Sequence, residues 1–209
     1  MDRKVMRALL SVTNKGGLVD FAKGLSDMGV ALISTGGTAK ALRQGGLQVV
    51  DVAEVTGHPE ILDGQVKTLH PRIHGGILAR RDDPNHHAQL TEHHIATIDL
   101  VCVNLYVFEA TVAMLGCTLA DAVENLTSVV LPDPGLAKNH QDVTVVTDPV
   151  DYPIILQEMR DNGGQISLAS GSAWRPRPPS DQPLRRSYRR LPGEPGSDHV
   201  EDRLCHCVF

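Results

Sequence analysis

The sequence predicts an α/β fold, a doubly wound parallel sheet of about five strands, followed by a disordered C-terminal tail. Three observations point there. Aromatic residues make up only 3% of a chain of 209 residues that is 41% hydrophobic, so the core must be built from Val, Leu, Ile and Ala. Such a core suits a parallel sheet covered by helices better than a β-sandwich. Short apolar runs alternate with helix-period segments along most of the chain, and this alternation stops after Leu168. The length fits one domain plus an appendage, here residues 1–168 and a Pro/Arg-rich tail over 169–209.

MRALLSV at 6–12 reads as a buried strand. The helix after it carries Leu18, Phe21, Ala22 and Leu25 at i, i+3, i+4 and i+7. VALIS at 30–34 is a second strand and runs into GGTAKALRQGG, where Thr38 can cap a helix that Gly45-Gly46 stops. LQVVDV supplies a third strand, IDLVCVNLY a fourth and DVTVVTD at 142–148 a fifth, with DPVDYPIILQEMRDNGG as the closing helix. Strands and helices of these lengths imply right-handed βαβ crossovers.

Bulk properties exclude several classes. A formal net charge of -5 argues against a general nucleic-acid binder. No apolar run reaches membrane-spanning length, and MDRKVMRALLSV lacks a long h-region and a small-residue cleavage site, so a cytoplasmic location is expected. The cysteines at 102, 117, 205 and 207 form no disulfide framework: Cys102, inside IDLVCV, reads as a small hydrophobe, and Cys205-x-Cys207 is too weak a pattern for a metal site.

Ligands of an open α/β sheet bind beyond the carboxyl ends of its strands, where helix starts offer unpaired N–H groups. After the first strand, Ser11, Thr13 and Lys15 offer two hydroxyls and an ammonium. After the second stand Ser34, Thr35, Gly36, Gly37 and Thr38. Either loop alone is compatible with a capped tight turn; two at equivalent strand ends read as a phosphate cradle. The run GQVKTLHPRIHGGILAR at 64–80 reads either as an ordinary basic turn or as an active-site loop, with Pro71 limiting local helix and Gly75-Gly76 letting backbone approach a ligand. Lys67 is its candidate for stabilising developing negative charge or delivering a proton. His70 and His74 are four apart, but Pro71 between them argues against one helical face, so a structural or substrate contact is favoured over metal. His86-His87 and His93-His94 stand among Asp, Asn and Glu, as on a solvated helix. Tyr106 reads from its surroundings as a core aromatic.

GxVKTLHPxxHGGILAR closely resembles the signature of the IMP cyclohydrolase domain of the bifunctional purine biosynthesis family (AICAR transformylase/IMP cyclohydrolase). STGGT recurs in the methylglyoxal-synthase-like superfamily to which that domain belongs. NLYVF at 104–108 is similar to the family's NLYPF, and AKNH at 137–140 to its AAAKNH. The resemblance implies that Lys67, Tyr106 and Lys138 are catalytic, and that Thr68 and Asn104 join the two loops in holding substrate. It also implies a reaction, in which an amide nitrogen of 5-formamidoimidazole-4-carboxamide ribotide attacks its own formyl carbon and water is lost. No metal or organic cofactor is implied for this step; 10-formyltetrahydrofolate would serve only the transformylase domain, which is expected to be absent here. The expected partner is a small purine ribonucleotide, with no nucleic acid and no membrane, and with room for a homodimer. Val107 replaces the family's proline and Gln65 its usual arginine, which would weaken the grip on phosphate.

The likeness runs over 6–126 and again from about 137 to 168. Between them the family's EN-IDIGGP, with its catalytic aspartate, is replaced by Glu124-Asn125-Leu126-Thr127-Ser128-Val129-Val130-Leu131-Pro132. A synonymous codon choice for D-I-G-G-P, GAC ATC GGT GGT CCT, read one base later, gives T-S-V-V-L, the residues at 127–131. The tail behaves alike. Codons chosen in the same way for the family-like ERLAAKA, read out of frame after GG, give GSAWRPRP at 171–178, and codons chosen for YDAAIAAYL give LRRSYRRLP at 184–192. The tail is therefore read as out-of-frame sequence that cannot bury enough apolar surface to order itself, a more specific account than RNA binding through Trp174, Tyr188 and the arginines.

Three functions follow: an impaired IMP cyclohydrolase, a purine-nucleotide-binding fragment without full catalysis, and, least favoured, methylglyoxal synthase. The frame account makes a direct prediction. Sequencing the coding DNA should reveal an IDIGGP-like word in a neighbouring frame opposite 127–132 and a YDAAIA-like word opposite 184–191, and the absence of both overturns it.

Overall fold

The computed structural model describes residues 3–61, 66–104, 139 and 141–166. All fall within one unit of the chain, Met1–Arg175. Five parallel strands form the main sheet: β2 (Arg7–Val12), β3 (Ala31–Ser34), β4 (Val50–Asp51), β5 (Leu100–Asn104) and β6 (Thr144–Val146), in the order β4-β3-β2-β5-β6. A short antiparallel ribbon of β1 (Arg3–Lys4) and β7 (Gln165–Ile166) lies outside it. The doubly wound α/β reading holds, and the winding reverses between β2 and β5.

Helices cover both faces. β2 is buried on both sides, with Ala8, Leu10 and Val12 in one apolar cluster and Leu9 in the other, as strand alternation requires. The first cluster receives Leu18, Phe21, Ala22 and Leu25 of α1 (Leu18–Asp27), Leu42 of α2 (Gly36–Gln44), and Tyr152, Ile155, Leu156 and Met159 of α6 (Tyr152–Asp161). Phe21 and Tyr152 stack with ring centroids 4.3 Å apart. The second cluster receives Val52 of α3 (Val52–Thr56) and Ile73 and Ile77 of α4 (Pro71–Leu78). Cys102 is buried on β5 beside the Tyr152 hydroxyl at 3.4 Å, and burial pushes its thiol up to about 11.

Three expectations need correction. The third strand is only Val50–Asp51, because Asp51 and Glu54 form a capping box that starts α3 at Val52. Thr38 does not cap α2; Thr35 stands at that position, and Thr38 lies inside the first turn. HPRIHGGIL is not a loop. His70 caps α4 by accepting from Arg72 N–H at 3.1 Å, Pro71 opens the helix instead of limiting it, and the two glycines lie in its interior. Gly76 is needed for packing: a Cβ there would meet the Ala96 carbonyl oxygen at 2.6 Å. His86 and His87 do lie on a largely solvated helix, α5 (Pro84–Glu92), and His93 and His94 are exposed at its end.

The edge at the amino ends of the strands is held by polar groups. The Asp99 carboxylate accepts from Met6 and Arg7 N–H at 3.0 and 3.1 Å, and its carbonyl accepts from Thr144 N–H at 2.9 Å. Buried Arg81 donates to the carbonyls of Gly76, Ala79 and Ile98 and lies 3.7 Å from Asp99. Asn139 donates to Ile77 and Ala79 carbonyls at 2.7 and 3.3 Å, satisfying the end of α4.

Gly76→Ala should destabilise the fold by about 1–3 kcal/mol, since a backbone carbonyl must move. At Gly75 the added methyl meets only the Ile95 side chain at 3.1 Å, and the gain in helix propensity of about 1 kcal/mol offsets that crowding. Urea denaturation of both variants checks the difference; equal losses would contradict it.

Candidate functional site

The carboxyl ends of β2, β3 and β5 lie side by side, with Leu10 opposite Ser34 and Val12 opposite Asn104. β2 therefore outruns β3 by two residues, and the polar groups at its end need other partners. The sequence supplies them from both sides.

On the β3 side, Ser34 Oγ donates to the Leu10 carbonyl at 2.7 Å, and its residue is fully buried. Thr38 Oγ1 donates to the Val12 carbonyl at 2.9 Å and accepts from Val12 N–H at 3.2 Å. Both hydroxyls thus face the sheet. What faces solvent is the start of α2, where Gly36 and Gly37 are exposed and, as at any helix start, their N–H groups have no intrahelical acceptor. Gly36 takes φ 47°, a left-handed conformation open to glycine at little cost. Thr35 is buried beside it.

On the β5 side, Asn104 Oδ1 accepts from Thr13 N–H at 2.9 Å and Asn14 N–H at 3.1 Å, while Asn104 Nδ2 donates to the Asn14 carbonyl at 3.3 Å. Asn14 Oδ1 in turn accepts from Gly16 N–H at 2.9 Å, closing a turn that leaves Thr13 and Lys15 exposed. Ser11 is half-buried on β2 opposite Val103. Asn14 and its turn escaped the sequence reading, although Asn followed two residues later by glycine is a recognisable side-chain turn signal.

Lys67 comes to this edge from a stretch paired to Ile61 through Val66. Its Nζ would lie 3.9 Å from a Cβ built on Gly36, which sets the ammonium against the start of α2. Two sources of positive potential, a helix start and a lysine, thereby share one space. Thr68 is buried next to Lys67. Tyr106 and Lys138 lie outside the described residues, as do Gln65, Val107 and the 127–135 segment.

The MGS-like domain family matches residues 17–147, a span holding most of the sheet, the α2 start and Lys67. The chain belongs to the MGS-like domain family. The crystal structure of ForH is similar to this MGS-like domain at 30% identity and a TM-score of 0.68, over 88% of this chain and 92% of that one. Among the described residues of the MGS-like domain, no helix is long and apolar enough to cross a membrane.

Thr38→Val keeps the volume but strips both partners from Val12. We expect a loss of about 1–3 kcal/mol of stability from the unsatisfied backbone groups. A measured change under a few tenths would show that water replaces the hydroxyl.

Proposed function

We propose that this MGS-like domain binds a purine ribonucleoside monophosphate and is an IMP cyclohydrolase whose ring closure is impaired. The observation that carries the reading is the approach of the Lys67 ammonium to the open start of α2. It supports a site for an anionic group next to a residue able to work on developing charge. The phosphate of the substrate would take the N–H groups of Gly36 and Gly37, with the Lys15 and Thr13 side chains closing over it. Ser34, Thr35 and Thr38 would shape that cradle from behind, and Ser11 and Thr68 would line it.

In the proposed reaction, the amide nitrogen of 5-formamidoimidazole-4-carboxamide ribotide forms a bond to the formyl carbon. The formyl oxygen takes up protons and leaves as water. Lys67, with Lys138 and Tyr106 by family likeness, would polarise that oxygen. The group that would remove the nitrogen's proton in the family is an aspartate, and Thr127 stands in the matching place. Thr127 cannot accept a proton at neutral pH, so turnover should fall on the order of 10²- to 10⁴-fold while ligand binding persists. The missing aspartate equally supports a role as a nucleotide-binding module. The chain's likeness to the KTLHP and NLYxF words favours either role over methylglyoxal synthase. The step calls for no metal or organic cofactor, and we place it in the cytoplasm, with a small ribonucleotide as partner.

Thermal shift should show stabilisation by IMP and none by a triose phosphate, with Lys67→Ala reducing the IMP shift. Restoring D-I-G-G-P in place of 127–131, together with the one residue by which this stretch falls short of the family pattern, should raise ring closure, and Lys67→Ala in that chain should lower it again. No stabilisation by any purine monophosphate would sink the reading; full activity in the unrepaired chain would refute the aspartate's role.

A further inference from the structure

Asn104 is nearly buried, at 8% exposure, and closes the last position of β5. Its carboxamide uses both ends on one loop: the oxygen takes two N–H groups, from Thr13 and Asn14, and the nitrogen gives to the Asn14 carbonyl. A carboxamide has two acceptor lone pairs and two N–H donors. Both lone pairs and one donor are thus committed to backbone, and a substrate contact could use only the remaining N–H. The two strands it joins, β2 and β5, are those between which the winding of the sheet reverses. Their ladder ends at Val12 and Asn104, and this side chain continues the tie one step further, at the strand ends where an open α/β sheet takes its ligands.

We propose that Asn104 is a positioning residue that holds the Thr13–Lys15 loop at the height of the bound phosphate, acting through that loop and not by touching substrate. This rests on the nucleotide-binding reading above and assigns Asn104 a different part from the substrate contact its family likeness implied. It also makes the phosphate cradle unequal. The Thr13 and Asn14 N–H groups are taken by Asn104, so at these two positions the loop offers no backbone donor to a ligand, and Thr13 can contribute its hydroxyl. The exposed Gly36 and Gly37 N–H groups lie across from it at the α2 start.

Two substitutions separate this role from simple packing. Asn104→Leu is close in size and loses all three hydrogen bonds. Asn104→Asp keeps both acceptances, while its second oxygen turns the donation to Asn14 into a repulsion between two acceptors. Amide hydrogen exchange on the full chain, without ligand, should show Thr13 and Asn14 exchanging on the order of tenfold faster in Asn104→Leu. The same amides should stay protected in Asn104→Asp, and exchange within β2 should be unchanged in both. Binding of a purine ribonucleoside monophosphate should weaken on the order of tenfold in Asn104→Leu, while binding of the matching nucleoside, which lacks phosphate, should not change. Equal weakening of nucleoside and nucleotide would mean that Asn104 touches the base and would overturn the proposal. Unchanged exchange at Thr13 and Asn14 in Asn104→Leu would overturn it as well. If the unsubstituted chain binds no purine ribonucleotide, the nucleotide reading falls, and the exchange measurement still decides whether Asn104 holds the loop.

Discussion

The end of β2 is the constraint on which the candidate site depends. This central strand runs past its neighbour β3, and a backbone that leaves a parallel ladder must find partners for its N–H and C=O groups or lose stability. Thr38 reaches back from the first turn of α2 to take both groups of Val12, and Asn104 takes the next two N–H groups from the opposite side. Satisfying one strand end therefore fixes three things together: the start of α2, the loop carrying Lys15, and the end of β5. The site is assembled from the solution to a hydrogen-bonding problem, with Lys67 brought in beside it.

This explains why hydroxyl residues in a phosphate-like motif have divided duties. Ser34 and Thr38 turn their hydroxyls to the sheet, whereas Gly36 and Gly37 present bare backbone. The motif is composed of a structural half and an open half, interleaved in sequence because successive residues at a strand-to-helix turn point in different directions.

Most of the fold was legible from apolar periodicity. The α1 positions Leu18, Phe21, Ala22 and Leu25 are all buried, and the five parallel strands lie within the segments read for them. The misreadings came from residues whose local preference is ambiguous. Glycine pairs are usual in loops, so Gly75-Gly76 concealed a helix that needs Gly76 for a close backbone approach. The capping box of Asp51 and Glu54 cut short a strand that its valines suggested. Of the site, the two loops and Lys67 could be nominated from residue type and spacing, and Asn104 only through the likeness of NLYVF to a family motif. The partners of Asn104 could not, since they lie about ninety residues away in sequence. Arg81, Asp99 and Asn139 were missed for a related reason: a buried polar group is recognised by the backbone atoms it satisfies, and those are visible only in three dimensions.

The ties at the amino ends of the strands carry a consequence for tolerance to change. β6 is docked through Asp99, Asn139 and the Arg81–Asp142 contact, all at the edge away from the Thr13–Lys15 turn and the start of α2. Anchoring groups and candidate site thus occupy opposite ends of the same strands, so a substitution in one set leaves the partners of the other in place.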